Sequence, residues 1–274
     1  MRTVLTIAGF DPSSGAGVTA DLMVFAAHSL FGTSCITALT VQSTMGVRAS
    51  YPVAAEVVRA TLEELVDDLP PSGIKIGMLG AEENLIIISE LLAILRAKHK
   101  NSGASRIPVV LDPVMRSSSG RELLDGAGVR ALRRNLLPQV DWITPNTAEL
   151  AILSGVKILG REDIPLACSR LQEMCAGGGP LGIVATGGHL DPPDDYLVTP
   201  EEAAVWLPGE WVESRSTHGT GCAFSSAFLS RLVLGEEPVT AARGAKEYVT
   251  EAILSAEKRG HGVSGINVLW PISK

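Results

Sequence analysis

The chain has 274 residues, of which 46% are hydrophobic but only 4% aromatic, and its formal net charge is −7. That length suits one large α/β domain with an aliphatic core. The acidic balance excludes the concentrated basic surface that nucleic-acid binding requires.

Residues 1–9 break at Gly9 too soon for a signal peptide, so the cytoplasm is the expected compartment. Within them, 4–8 predict a buried strand, followed by a Gly/Ser loop and a helix over 16–29. A second strand is predicted over 34–39, a helix over 54–69 and a short strand over 74–76. In the helix predicted over 82–98, Leu91, Leu92 and Leu95 share an apolar face. The most apolar stretch, 85–95, is interrupted by Ser89 and Glu90 and cannot span a bilayer.

Residues 108–113 read as a strand stopped by Pro113. A helix over 126–136 follows, its arginines 130, 133 and 134 a solvated face, then a strand over 142–144 and a helix over 147–153. In the helix over 164–175, Cys168 and Cys175 read as core thiols, because the four cysteines show no paired zinc spacing. A strand over 182–186, two or three antiparallel strands within 196–213, and helices over 222–234 and 240–259 complete the chain. Such alternation predicts an α/β three-layer sandwich, a mostly parallel central sheet with helices on both faces, as a single domain over 1–274. Ligands of such sheets bind beyond the carboxyl ends of the strands. The loops 9–17, 77–79, 112–120, 145–146 and 187–188 all fall at that edge.

The densest chemistry lies in Ser216-Thr217-His218-Gly219-Thr220-Gly221-Cys222, a glycine-rich turn feeding a helix. The first N–H groups of a helix lack intrahelical partners, and with the helix dipole they favour an anion such as a phosphate. Cys222 stands at the edge of this anion site, where a thiolate is also favoured. Asp112-Pro113 at a strand end, and Asn146-Thr147-Ala148-Glu149 opening a helix, could hold hydrated Mg²⁺ with a polyphosphate. Taken alone they read as a turn and an N-cap; beside the anion site the metal–nucleotide reading is the better one.

Gly15-Ala16-Gly17-Val18-Thr19-Ala20 matches a dinucleotide fingerprint, but the second strand brings no acid for the ribose, which argues against an oxidoreductase. The P-loop pattern is also missing, so phosphate transfer here uses another fold solution.

Ile7 to Gly17, Thr37 to Thr44, Lys75-Ile76-Gly77-Met78-Leu79 and Leu111-Asp112-Pro113-Val114-Met115 together carry a resemblance. So do Thr144 to Glu149, Gly187-Gly188-His189, Thr217 to Cys222, Ala245 to Ile253 and Gly260-His261-Gly262. In order and over nearly the whole chain, the sequence resembles the hydroxymethylpyrimidine/phosphomethylpyrimidine kinases of thiamine biosynthesis, within the ribokinase-like superfamily.

The resemblance implies ATP- and Mg²⁺-dependent phosphorylation of 4-amino-5-hydroxymethyl-2-methylpyrimidine, then of its monophosphate to the diphosphate. It assigns Gly9, Asp21, Gln42 and Met78 to the pyrimidine. Without it, Met78 reads as core and Asp21 as a first-turn helix acid. Asn146, Thr186, Gly188 and Lys246 fall at nucleotide positions, and Asp112 and Glu149 at metal positions. Gly219, Thr220 and Gly221 match the anion hole. Cys222 stands where the sugar kinases carry an Asp base, and either accepts the hydroxymethyl proton or lines the pocket.

A homodimer is also implied. The chain departs from the family pattern at Phe10 (usually Ser), Ser14 (usually Gly) and Thr186 (usually Lys), with Lys246 a candidate replacement for the missing cation and 191–195 adding acidity nearby. The alternatives are a pyridoxal/pyridoxine kinase and, because of Thr186, a catalytically weak pyrimidine-binding protein of the same fold.

Overall fold

A computed structural model describes residues 1–102, 106–117, 120–175, 179–188, 190–199 and 204–272. The strands are β1 (Thr3–Phe10), β2 (Phe31–Ser43), β3 (Gly46–Pro52), β4 (Ile74–Ile76), β5 (Val109–Leu111), β6 (Trp142–Ile143), β7 (Gly182–Ala185), β8 (Asp195–Val198) and β9 (Val205–Leu207). They form one sheet in the order β3-β2-β1-β4-β5-β6-β7-β8-β9. The six from β2 to β7 in that order run parallel, and the outer pairings β2–β3, β7–β8 and β8–β9 are antiparallel.

Strand side chains alternate between the two faces of the sheet, and this builds two cores. Leu5, Ile7, Val109, Leu111, Ile143, Ile183 and Ala185 join one. There they meet α2 (Ala55–Asp68), α3 (Glu82–Ser102), α4 (Gly126–Ala131), α5 (Thr147–Ser154) and α6 (Ile164–Met174). Val4, Val110, Trp142 and Val184 point the other way, against α1 (Gly17–Ala27), α7 (Thr220–Leu234) and α8 (Pro238–Leu254). The three-layer α/β sandwich expected from the sequence is therefore present.

Several details differ from expectation. β2 runs on to Ser43 and turns back as β3, a hairpin outside the elements expected from the sequence. The helix after β5 widens into a π-helical turn over Leu132–Leu136. Among the described residues two strands, β8 and β9, occupy the 196–213 region, and α8 ends at Leu254. Cys168 and Cys175 are buried free thiols. His189 lies outside the described residues. No helix among the described residues is long and apolar enough to cross a membrane.

Candidate active site

Because β1, β4, β5, β6 and β7 are parallel, the segments after Phe10, Ile76, Leu111, Ile143 and Ala185 emerge along one edge. The N-terminus of α7 meets them there. Its cap, Gly219, adopts φ 85°, which a side chain disfavours, and a Cβ on it would overlap the Gly15 carbonyl oxygen. The anion-site loop and the loop after β1 are thus packed backbone to backbone. Thr220 and Gly221 open the helix, and Gly221 is exposed.

Cys222 is half-buried, and Gly17 N–H points at its sulfur. Burial pushes its thiol up to about 12, outweighing the opposing Lys75 charge, with Asp112 and Asp21 adding to the rise. The thiolate expected from the helix terminus is therefore not the resting form of this residue.

Beneath Cys222 lies a buried charge network. Asp21 is fully buried: its Oδ2 accepts from Thr6 Oγ1 at 2.6 Å and its Oδ1 from Ser226 Oγ at 2.8 Å. Lys75 Nζ, equally buried, donates to both oxygens at 3.0 and 2.9 Å. Burial works against the ammonium charge, but Asp21, Cys222 and Asp112 together hold the lysine pKa above its ordinary value. Asp21 therefore joins β1, β4 and α7 beneath the pocket instead of lining it. Lys75, present in the Lys75-Ile76-Gly77-Met78-Leu79 motif, carries a charge whose role the sequence reading missed.

At the edge itself, Met78 Sδ lies 2.8 Å from where a Cβ on Gly9 would stand, so these two residues form one wall. Gln42, near the end of β2, has its carboxamide nitrogen 3.0 Å from His218 Nε2 and its carboxamide oxygen 3.2 Å from Thr40 Oγ1. His218 Nε2 also reaches Asp11 Oδ2 at 2.8 Å. Burial would raise the Asp11 pKa, but the hydrogen bonds from His218 and Ser13 hold it below the ordinary value. Neither Asp11 nor His218 had been singled out in the sequence, although both lie in its most glycine-rich motifs.

Asn146 caps α5: its side chain accepts from Glu149 N at 3.0 Å, and Glu149 Oε2 accepts from Asn146 N at 3.0 Å. The N-cap role weighed for Asn146 is therefore real, whatever else it does. Glu149 and Asp112 are both buried. Burial, with the Asp112 charge added, raises Glu149 to about 8; Asp112 is raised by burial against the pull of Lys75. Two buried acids that repel each other form a donor set a cation would relieve, and Mg²⁺ needs few protein ligands. Among the described residues no cluster of three or more His, Cys, Asp or Glu completes such a site without solvent or phosphate oxygens.

Thr186 N–H donates to Pro145 O at 2.9 Å, and Gly188 has open space above its Cα. Lys246 Nζ, by contrast, is engaged with Asp195 Oδ2 and Pro193 O, each at 2.9 Å. Asp195 Oδ1 in turn accepts from Gly187 N at 2.8 Å. Asp194 is paired with Arg161 at 2.6 Å and accepts from Gly209 N at 2.9 Å, and Arg161 stacks over Trp206. Both acids are thereby neutralised locally, so much of the acidity expected from 191–195 is spent holding the β7–β8 loop.

The description "Phosphomethylpyrimidine kinase" belongs to the family that matches residues 11–267. The hydroxymethylpyrimidine/phosphomethylpyrimidine kinase of Aquifex aeolicus is 35% identical over 94% of this chain and 96% of its own length. The phosphomethylpyrimidine kinase structure from Clostridium difficile 630 is 35% identical, with a TM-score of 0.74 over 92% of this chain and all of that one. The pyridoxal kinase from Staphylococcus aureus, solved with pyridoxal, reaches a TM-score of 0.82 at 27% identity, over 98% of this chain and 94% of its own.

Proposed function

This chain belongs to the phosphomethylpyrimidine kinase family and is a phosphotransferase, and on that premise we propose how its residues divide the work. The reaction is phosphorylation by ATP of the hydroxymethyl group of 4-amino-5-hydroxymethyl-2-methylpyrimidine, and then of the monophosphate to the diphosphate, for thiamine biosynthesis. One observation carries this reading: the α7 N-terminus and the Gly9–Met78–Gln42 wall converge on the same edge of the sheet.

Gly9 and Met78 together form the wall on which one face of the ring packs and Gln42 pairs with its edge, while Thr220, Gly221 and Cys222 N–H groups stabilise charge on the transferring phosphoryl group. ATP lies along Asn146, Thr186 and Gly188. Asp112 and Glu149 are the residues that would hold Mg²⁺, which supplies neutralisation of phosphate charge when bound. A loose phosphoryl transition state asks mainly for alignment and electrostatics, so a protonated Cys222 is compatible with transfer as a pocket-lining group. Asp21 contributes from below, through Lys75 and Ser226, and Lys246 through the loop it holds.

Coupled detection of ADP with a panel of the pyrimidine, its monophosphate, pyridoxal and ribose tests the assignment. Turnover of the pyrimidine and its phosphate is expected. Turnover of pyridoxal alone would establish the second reading, a pyridoxal kinase, which the TM-score of 0.82 to that fold keeps in play. Calorimetric binding of the pyrimidine with no ADP formed would indicate a binding protein.

A further inference from the structure

His218 Nε2 has two neighbours that make opposite demands. Asp11 Oδ2, at 2.8 Å, is a carboxylate oxygen, acceptor only, so Nε2 must carry the hydrogen. Asp11 is ionised, because its pKa is held below the ordinary range, and its oxygens already take Ser13 N, Ser13 Oγ and Ala16 N. The carboxamide of Gln42, 3.0 Å from the same nitrogen, cannot then donate to it. The arrangement with no donor facing a donor turns the carboxamide so that its oxygen shares the single Nε2 hydrogen with Asp11 Oδ2 in a three-centre bond, while the amide nitrogen donates to Thr40 Oγ1. That hydroxyl is free to accept, because its own hydrogen goes to Phe10 O at 2.9 Å.

The imidazole has little room to yield. A Cβ on Gly15 would overlap its ring, and the His218 backbone is tied to the C-terminal segment through Ser264 O at 3.2 Å and Ile266 N at 3.4 Å. We propose that His218 is a positioning residue that fixes the carboxamide of Gln42 with its remaining N–H toward the pocket, and so selects a substrate ring presenting a hydrogen-bond acceptor at that edge. This rests on the assignment of Gln42 to the ring substrate. An aminopyrimidine offers unprotonated ring nitrogens. Pyridoxal in its zwitterionic form carries a proton on its single ring nitrogen and offers a donor there. A buried polar group left facing a like partner discriminates strongly.

Steady-state kinetics of His218→Ala with the pyrimidine and with pyridoxal test the inference. The KM for the pyrimidine should rise about tenfold, the worth of one hydrogen bond, while the KM for ATP and kcat hold within about twofold. The pyrimidine-to-pyridoxal ratio of kcat/KM should fall by a similar factor. His218→Ala combined with Gln42→Ala should be no worse than Gln42→Ala alone. Gly15→Ala, which displaces the ring without removing it, should move the ratio the same way and decides the matter if His218→Ala does not fold. An unchanged ratio, or losses from His218 and Gln42 that multiply, overturns the inference. Wild-type protein that ignores the pyrimidine overturns the functional assignment instead.

Discussion

At Cys222 two effects oppose each other: the α7 terminus and Lys75 favour a thiolate, and burial with two nearby acids disfavours it, leaving the thiol at about 12. Iodoacetamide should therefore label Cys222 more slowly than a free solvent-exposed thiol at neutral pH; rapid labelling, followed by mass spectrometry, would restore the thiolate. Glu149 makes the complementary case. Its folded pKa of about 8 stands above the ordinary 4.5 of an unfolded chain. The fold therefore retains a proton that the unfolded chain has lost, and the associated stability is complete below 4.5 and disappears as pH rises to about 8. Ligand-free protein should melt at progressively lower temperature across that interval, and Glu149→Gln should flatten the slope. A slope identical in the variant would assign it to other acids. Gly219→Val should abolish transfer and destabilise the fold, because the left-handed backbone and the Gly15 carbonyl both exclude its side chain.

Between elements, the Asp21–Lys75 pair is the joint that seats α7 on β1 and β4. Lys75→Met strands a buried carboxylate and should cost about 3–5 kcal/mol in chemical denaturation, with Lys75→Met/Asp21→Asn recovering part of the loss. A single variant as stable as wild type would mean the pair does not seat the helix. This joint also shows what a linear sequence conceals. The parallel core was legible because β1, β5 and β7 are mainly apolar runs cut by Gly, Pro or Asp, and the loops at their ends fall where the alternation requires. Asp21 was not, since an acid in the first turns of a helix reads as solvated until Thr6, Lys75 and Ser226 are brought around it from 15, 54 and 205 positions away. The pairing of Lys246 was hidden for the same reason, since its partners Asp195 and Pro193 stand far from it in the sequence. β3 escaped although Val47, Ala49 and Tyr51 alternate with Arg48 and Ser50, because the run is short, is closed by Pro52 and buries neither face fully.

For the whole molecule, the β2–β3 hairpin poses the remaining question. Leu39 faces Tyr51 across the two strands, and Val41 lies two residues along the same face of β2. These side chains are 49%, 60% and 49% exposed, and Met45 at the turn is 72% exposed. An apolar stripe on an outer strand pair is a liability in a monomer and is normally covered. A second copy laid against the hairpin would cover it by two-fold symmetry, each stripe meeting its own counterpart. The site depends on this hairpin, because Gln42 lies between Val41 and Met45 on the same extension. Wild-type protein should therefore run as a dimer in light scattering at micromolar concentration. Val41→Glu should shift it toward monomer, since a buried like-charge pair would form at the symmetric contact. If dimerisation also holds the hairpin in register, the KM for the pyrimidine should rise in the variant while that for ATP stays put. A wild-type monomer with full activity would leave the stripe to a different partner and the hairpin self-sufficient.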